Sequence, residues 1–131
     1  MESVDPFHMT SVAYFEEWGR AQVERIFSRY DGGEIHLHGN GRHLLEAAST
    51  LKGLRAIALG DDTGFPPAFT ILDDLRARAG TVPLVVNVGV EEFAGKLKAR
   101  RLAGGVLYHV SGVKDADAAN RWMEKVRAYH L

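Results

Sequence analysis

The stretch that decides the fold is Glu34-Ile35-His36-Leu37-His38-Gly39-Asn40-Gly41, a short apolar run that enters a turn rich in glycine and asparagine. This composition predicts a strand that ends at the turn. Side chains two positions apart on a strand point to the same face, so His36 and His38 should lie side by side. A pair of imidazoles at a strand end indicates a functional site.

The chain repeats this pattern of strand, turn and amphipathic helix four times. The predicted strands are Glu34–His38, Arg55–Leu59, Pro83–Val88 and Gly105–Val110. The predicted helices that follow them are Arg42–Leu51, Pro66–Arg78, Val90–Arg100 and Asp115–Tyr129. Successive strands start roughly 20 to 30 residues apart, which is the length of a βα repeat. The sequence therefore predicts an α/β fold of four parallel βα units.

One further helix is predicted before these units, over Thr10–Tyr30, with an apolar stripe that includes Phe15 and Trp18. We expect Trp18 and Trp122 in the core or at an interface. Residues 1–9 show no periodicity and end at a second methionine. We interpret residues 1–9 as a leader introduced by cloning, with the natural start at Met9 or further upstream in a longer chain, and residues 10–131 as a single α/β domain.

Two architectures fit four parallel βα units. A doubly wound sheet has helices on both faces and a shuffled strand order. Half of a TIM (β/α)8 barrel keeps the strands in sequential order, with all helices on one side. Nearly continuous apolar strands such as Leu84-Val85-Val86 suit either arrangement. In both, the ligand site lies at the carboxyl ends of the strands.

Composition limits the classes of function. The chain has 131 residues, of which 46% are hydrophobic and 25% charged, and its formal net charge is −1. This balance gives no electrostatic reason to expect nucleic acid or a membrane surface as a partner. The absence of cysteine excludes disulfides and thiolate zinc sites and gives no indication of secretion. Because the sequence has no spanning segment and no signal peptide, we expect a soluble cytoplasmic protein.

Polar side chains occur at the ends of all four predicted strands. The candidate catalytic residues are His36, His38, Asp61 and His109, and the candidate substrate-binding residues are Asn40, Arg42, Asn87 and Tyr108. Buried polar groups must be satisfied, so such a set is unusual in a plain scaffold. Asp61 continues its strand and is expected to face the site, whereas Asp62 is expected to belong to the turn. Arg42, at a helix start, is expected either to hold an anionic group or to be solvated.

The three strand-end histidines allow several roles. His36, His38 and His109 could supply nitrogen ligands to zinc, with Asp61 or Asp62 as a carboxylate ligand. They could instead act as general acids and bases, or bind a small-molecule ligand directly. A third alternative is that they are structural residues.

The chain resembles the uroporphyrinogen decarboxylase superfamily, which also contains the zinc-dependent corrinoid:coenzyme M methyltransferases. The matching stretches are His36-Leu37-His38-Gly39-Asn40, Gly104-Gly105-Val106-Leu107-Tyr108-His109-Val110 and Asn120-Arg121-Trp122. Members of the superfamily are (β/α)8 barrels, and the chain is similar to their C-terminal half from Thr10 to Leu131. The resemblance implies a tetrapyrrole- or corrinoid-related ligand and a methyltransferase- or decarboxylase-like activity.

The resemblance also implies a zinc site, with a departure from the family pattern. In the methyltransferase branch, zinc is bound by a His-x-Cys pair and by a cysteine near the end of the last strand. His36 falls on the family histidine, His38 on the first cysteine, and His109 lies near the second. Both thiolates are missing, so a zinc here would have different charge and Lewis acidity. The groups that serve decarboxylation belong to the first half of the barrel, so that reaction would need a second half.

A half barrel leaves its outer strands as open edges and its inner face exposed. We therefore expect a homo-oligomer, or a complementary half barrel, to cover them. The enzyme interpretation competes with a non-catalytic binding or assembly module that has lost the family chemistry. It also competes with a doubly wound domain unrelated to the barrels, which would leave the paired histidines without a role.

Overall fold

The fold is an open sheet of five parallel strands, described over residues 1–129 by a computed structural model. The strands are β1 (Glu2–Ser3), β2 (Gly33–Leu37), β3 (Leu54–Leu59), β4 (Leu84–Gly89) and β5 (Val106–Ser111). They lie in sequential order, and every neighbouring pair is parallel. The α/β prediction resembling half a barrel is confirmed, and the doubly wound alternative is wrong because it needs a shuffled order.

The helices alternate with the strands along the chain. They are α1 (Val12–Tyr14), α2 (Arg20–Phe27), α3 (Leu45–Ser49), α4 (Leu72–Ala79), α5 (Val90–Lys98) and α6 (Ala116–Arg127). A π-helical turn, Phe15–Gly19, joins α1 to α2, and we call this continuous unit the leading helix. A 3-10 helix, Gly39–Leu44, precedes α3, and another spans Asp5–Phe7. Among residues 1–129, none of the helices is both long and apolar enough to cross a membrane.

The opening residues belong to the fold, although the prediction left them out. Glu2 and Ser3 pair with β2, and Val4 is fully buried in the core. His8 is also buried, with 5% of its surface exposed. A two-residue strand followed by one 3-10 turn is too short to produce a detectable period, which explains why the sequence pattern missed it.

Side chains on one face of the sheet form the core against the helices. The buried strand residues on this covered face are Ile35, Leu37, Ile57, Leu59, Leu84, Val86 and Val88. They pack with Phe15, Leu44, Leu45, Leu72 and Leu75 from the helical side of the molecule. Right-handed crossovers between parallel strands in sequential order place all the helices on this side.

The other side chains of the same strands point to what we call the open face. One row across it consists of Ser3, His36, Ala58, Val85 and Leu107, each paired with the next. Leu107 is 61% exposed, and Asn87 and His109 are exposed as well. The crossover rule leaves this face without a helix in residues 1–129.

Trp18 on the leading helix is 57% exposed, so it does not lie in the core, and its alternative placement at an interface stays a prediction. The π-helical turn shifts the buried positions, so that Gly19 faces Phe7 and Phe15. A Cβ at Gly19 would lie 2.7 Å from the Phe15 ring, so only glycine fits this contact. Trp122, by contrast, is half-buried and packs against the core as expected.

Candidate functional site

The candidate site lies at the carboxyl ends of β2 and β3. His36 is on β2, and His38 follows its last residue on the same face. The centroids of the two imidazole rings are 4.4 Å apart, and the ring planes are inclined by 43°. The predicted side-by-side placement of the two histidines is confirmed, and it follows from the two-residue period of the strand.

A carboxylate from the next strand end orients His38. Its Nδ1 lies 2.7 Å from Oδ1 of Asp62, and both side chains are about one-third exposed, at 35% and 29%. The hydrogen bond from His38 holds the pKa of Asp62 below its usual value, so the carboxylate stays ionised. In the neutral tautomer that donates from Nδ1 to Asp62, the free lone pair of His38 is on Nε2.

The two neighbouring aspartates exchange their predicted positions. Asp61 does not face the histidines, because its Oδ1 accepts hydrogen bonds from the Ala68 amide at 2.7 Å and from Arg42 at 3.2 Å. It therefore fixes the turn that leads to α4. Asp62, expected in the turn, is the residue that reaches His38. Turn chemistry alone could not separate two adjacent carboxylates, since either can accept from a nearby amide.

Arg42 is buried at the carboxyl ends of β2 and β3. The residue is 94% buried, and its guanidinium donates to the carbonyl of Gly60 at 3.1 Å, to that of Pro66 and to Asp61. These bonds tie the 3-10 helix after β2 to the loop after β3. The solvated alternative is therefore wrong because the side chain is buried, whereas substrate binding by Arg42 stays a prediction.

Gly60 provides the space in which the two histidines meet the next strand. A Cβ at this position would lie 2.8 Å from Nε2 of His36 and 3.0 Å from Nδ1 of His38. Its amide donates to the carbonyl of Leu37 at 2.8 Å. The sequence prediction missed this residue, although a glycine at a strand end often marks a close approach.

His8 is a further residue that the prediction missed. Its ring lies edge-on to that of His38, with 5.9 Å between the centroids, and Nδ1 is 3.5 Å from Oδ1 of Asp5. Burial lowers the pKa of His8, while Asp5 opposes this effect. The one available signal was Asp5-Pro6-Phe7-His8, since proline at the start of a short helical turn indicates ordered structure.

His109 does not join the histidine pair. It lies on β5, and β3 and β4 separate that strand from β2, a distance of roughly 14 Å at about 4.8 Å per strand. Its Nδ1 is 2.9 Å from Oδ1 of Asn87, so these two predicted residues form their own pair on the open face. The functional roles of both remain predictions.

Tyr108 points away from the open face. Its hydroxyl donates to the carbonyl of Ala103 at 2.9 Å, and its ring packs against Phe69 and Phe93. Burial raises the pKa of this tyrosine. Since adjacent residues of a strand point to opposite faces, Tyr108 and His109 lie on different sides of the sheet, and the substrate-binding role of Tyr108 stays a prediction.

Asn40 stands at the turn between the histidines and the opening residues. Its Nδ2 is 3.9 Å from the sulfur of Met9, and its Oδ1 is buried with no hydrogen-bond partner in residues 1–129. Nε2 of His8 is likewise buried and unpaired within that range. The side chain thus packs against the opening segment instead of projecting into open space, and a ligand-binding role for it remains a prediction.

The predicted zinc ligands are not gathered within one chain. Over residues 1–129, no group of three or more histidine or acidic side chains is arranged to hold a metal ion. A catalytic zinc takes three protein ligands at about 2.0–2.2 Å, and this end of the sheet offers two adjacent imidazoles, one of them bonded to Asp62. The residues of a single chain do not fit the three-histidine site, and zinc binding remains a prediction.

Comparison with known proteins adds no relative: no protein family, no curated protein and no solved structure matches the chain. The resemblance to the uroporphyrinogen decarboxylase superfamily therefore rests on the sequence stretches quoted for it.

Proposed function

We propose that the chain is a uroporphyrinogen decarboxylase-like domain that binds an organic small molecule at the carboxyl edge of its sheet, with His38 as a general base. The observation that carries the proposal is the 2.7 Å contact between His38 and Asp62 beside the ring of His36. The carboxyl ends of parallel strands are the usual location of ligand sites in α/β folds, and this supports the placement.

The chemistry follows from the direction of the hydrogen bond. Asp62 accepts from Nδ1 of His38, which leaves Nε2 able to take a proton from a ligand hydroxyl, thiol or acidic C–H group. The imidazolium that forms is stabilised by the adjacent carboxylate, as in other carboxylate-oriented histidines. The ring of His36, on the same face, can hydrogen-bond to the same ligand.

The resemblance suggests a tetrapyrrole-related ligand with several carboxylates. Imidazole N–H groups can donate to carboxylates, and both rings of the histidine pair are partly exposed at the carboxyl edge of the sheet, where a large planar molecule can reach them. A porphyrin with carboxylate side chains, such as uroporphyrin, is therefore a direct probe, because its absorbance and fluorescence change when it binds protein.

The test is a titration of the protein with uroporphyrin, followed by fluorescence. We expect His38→Gln and His36→Ala to weaken binding roughly tenfold, the size of one lost hydrogen bond to a charged group. His43→Gln is the matched control, because His43 lies at the same edge but bonds to the Thr10 and Asn40 carbonyls. Equal affinity in all four proteins would contradict the proposed site.

A second candidate is a binding or assembly module without catalysis. It is favoured by the burial of Arg42, by the bond from Tyr108 to the Ala103 carbonyl and by the use of Asp61 to hold a turn, because these groups serve the fold. Measuring the bound metal distinguishes a zinc-dependent, methyltransferase-like domain from this non-catalytic module. Zinc near one equivalent, lost in both His36→Ala and His109→Ala, would support the former. Stability that is unchanged in both variants, without bound metal, would support the module.

A further inference from the structure

The chain exposes more surface than a compact monomer of its mass. Its solvent-accessible area is 8043 Å². A compact monomeric protein of 14.4 kDa exposes about 6,800 Å². The excess is about 1,200 Å² per chain, whereas a stable interface needs about 800 Å² from each partner. The excess is therefore large enough for a permanent contact with another protein surface.

This surface includes the open face and the two edges of the sheet. Ala58, Val85 and Leu107 form an apolar row on the open face, and Leu107 is largely exposed. Along its outer side, β5 has no neighbouring strand within residues 1–129, so a six-residue edge offers unpaired amides and carbonyls. At the other end, β1 covers only two residues of β2, and we call this the β1–β2 edge.

The two edges are complementary in direction. Because all the strands are parallel, β5 of one copy can extend the β1–β2 edge of another in the same direction. A twofold axis along the strands then makes two identical seams and closes the assembly. The helical layer has matching apolar groups, since α6 exposes Met123 and the leading helix exposes Tyr14 and Trp18. A net charge of −1 gives little long-range repulsion between copies.

We infer that two copies of this chain close edge to edge, β5 of each against the β1–β2 edge of the other, into one barrel with both open faces inside. The carboxyl ends of all the strands then lie at one end of the barrel. The His36–His38 pairs of both copies would lie at that end. Within one chain, β3 and β4 lie between β2 and the strand that carries His109. Across a seam, at most β1 would lie between β2 and the β5 strand of the other copy, which carries that copy's His109. This inference does not depend on the proposed function.

The first experiment measures molar mass by light scattering and sedimentation at several micromolar concentrations. A constant mass of twice 14.4 kDa is expected. A monomer would overturn the inference and point to closure by some other protein segment. A mass that keeps growing with concentration would overturn it as well, because it would indicate open-ended association of many copies instead of a closed dimer.

Substitutions then locate the contact. Leu107→Lys places a charge on the open face and should raise the dimer dissociation constant at least tenfold. Ala77→Lys, at an exposed position of α4 on the helical side, is the charge-matched control and should leave it unchanged. Circular dichroism confirms that both variants are folded. Equal dissociation constants for the two variants would overturn the placement of the interface on the open face.

The absence of native cysteine allows a test of the seam in otherwise wild-type protein. Ser3→Cys on β1 and Ser111→Cys on β5 are exposed positions at the two edges. Mixed, re-equilibrated variants should cross-link through a short bis-maleimide, while each variant alone should not. Cross-linking of Ser111→Cys with itself would overturn the closed arrangement, because it would place two β5 edges together.

Discussion

Two neighbouring valines of β4 meet opposite surroundings. Val86 points to the covered face and is 1% exposed, whereas Val85 points to the open face and is half-buried. The same contrast continues on β5, where Tyr108 packs among aromatic rings and His109 is exposed. The covered face supplies the hydrophobic stability of the domain, and the open face holds the polar groups that can meet a ligand or a partner.

The largest expected effect compares the two valines directly. Val86→Ala should lower the free energy of unfolding by about 2–3 kcal/mol, because it removes two buried methyl groups and leaves a cavity. Val85→Ala should cost less than about 1 kcal/mol. Urea denaturation at the lowest workable protein concentration measures both, so that self-association does not cover Val85. Equal losses would show that the open face is as well packed as the covered one.

Alanine substitutions at two glycines near the histidines should lower the free energy of unfolding by smaller amounts, and they compare a buried contact with a partly exposed one. Gly41→Ala places a Cβ 2.2 Å from Cδ2 of buried His8, and overpacking of this kind costs about 1–3 kcal/mol. Gly60→Ala meets the nitrogens of His36 and His38, which are partly exposed and can turn away, so its cost should be below about 1 kcal/mol. Thermal unfolding would give both values, and the reverse order would contradict the contrast in packing.

His8 should make stability depend on pH. Burial keeps its pKa below the ordinary 6.5, with Asp5 opposing and His38 and His43 adding to the lowering. Below about pH 6.5 the unfolded chain gains a proton that the folded chain does not, so stability falls until the folded pKa is reached. Wild type should therefore lose more stability than His8→Leu between pH 7.5 and pH 5. Urea denaturation at each pH measures the free energy of unfolding. An equal loss in wild type and His8→Leu would contradict this role of the buried imidazole.

The smallest expected effect concerns the partly exposed ion pair of His38 and Asp62. The hydrogen bond from His38 lowers the pKa of Asp62 from its usual 3.8, so its contribution is present above that pH and is lost as the pH falls through the lowered value. In His38→Gln the pKa of Asp62 should rise towards the usual value. Carbon-13 NMR of the carboxyl group measures it, and Asp115, which caps α6, serves as an internal control.

Local pattern was sufficient for most of the secondary structure. The apolar runs located four strands to within a few residues of their bounds, because alternating and β-branched residues favour extended chain. The helix predicted over Pro66–Arg78 begins later, at Leu72, since the loop before it is held by Asp61 and Arg42. The pairing of His36 with His38 needed no more than the two-residue period of a strand.

Long-range contacts account for the errors. Whether Asp61 or Asp62 reaches His38 depends on a neighbouring strand end that is 24 residues away along the chain. The burial of His8 depends on the docking of an opening segment too short to show a pattern. Trp18 is exposed because one π-helical turn rotates the helix face around Gly19, and hydrophobicity alone does not reveal such a turn.

The sequence by itself determined the βα units, the parallel class of the sheet and the shared face of the two histidines, because these follow from periods within a few residues. Only the tertiary structure decided the sequential strand order, the open face and the carboxylate that orients His38. Those features depend on which distant segments pack together, and packing is set by the shape and hydrogen bonds of the whole chain.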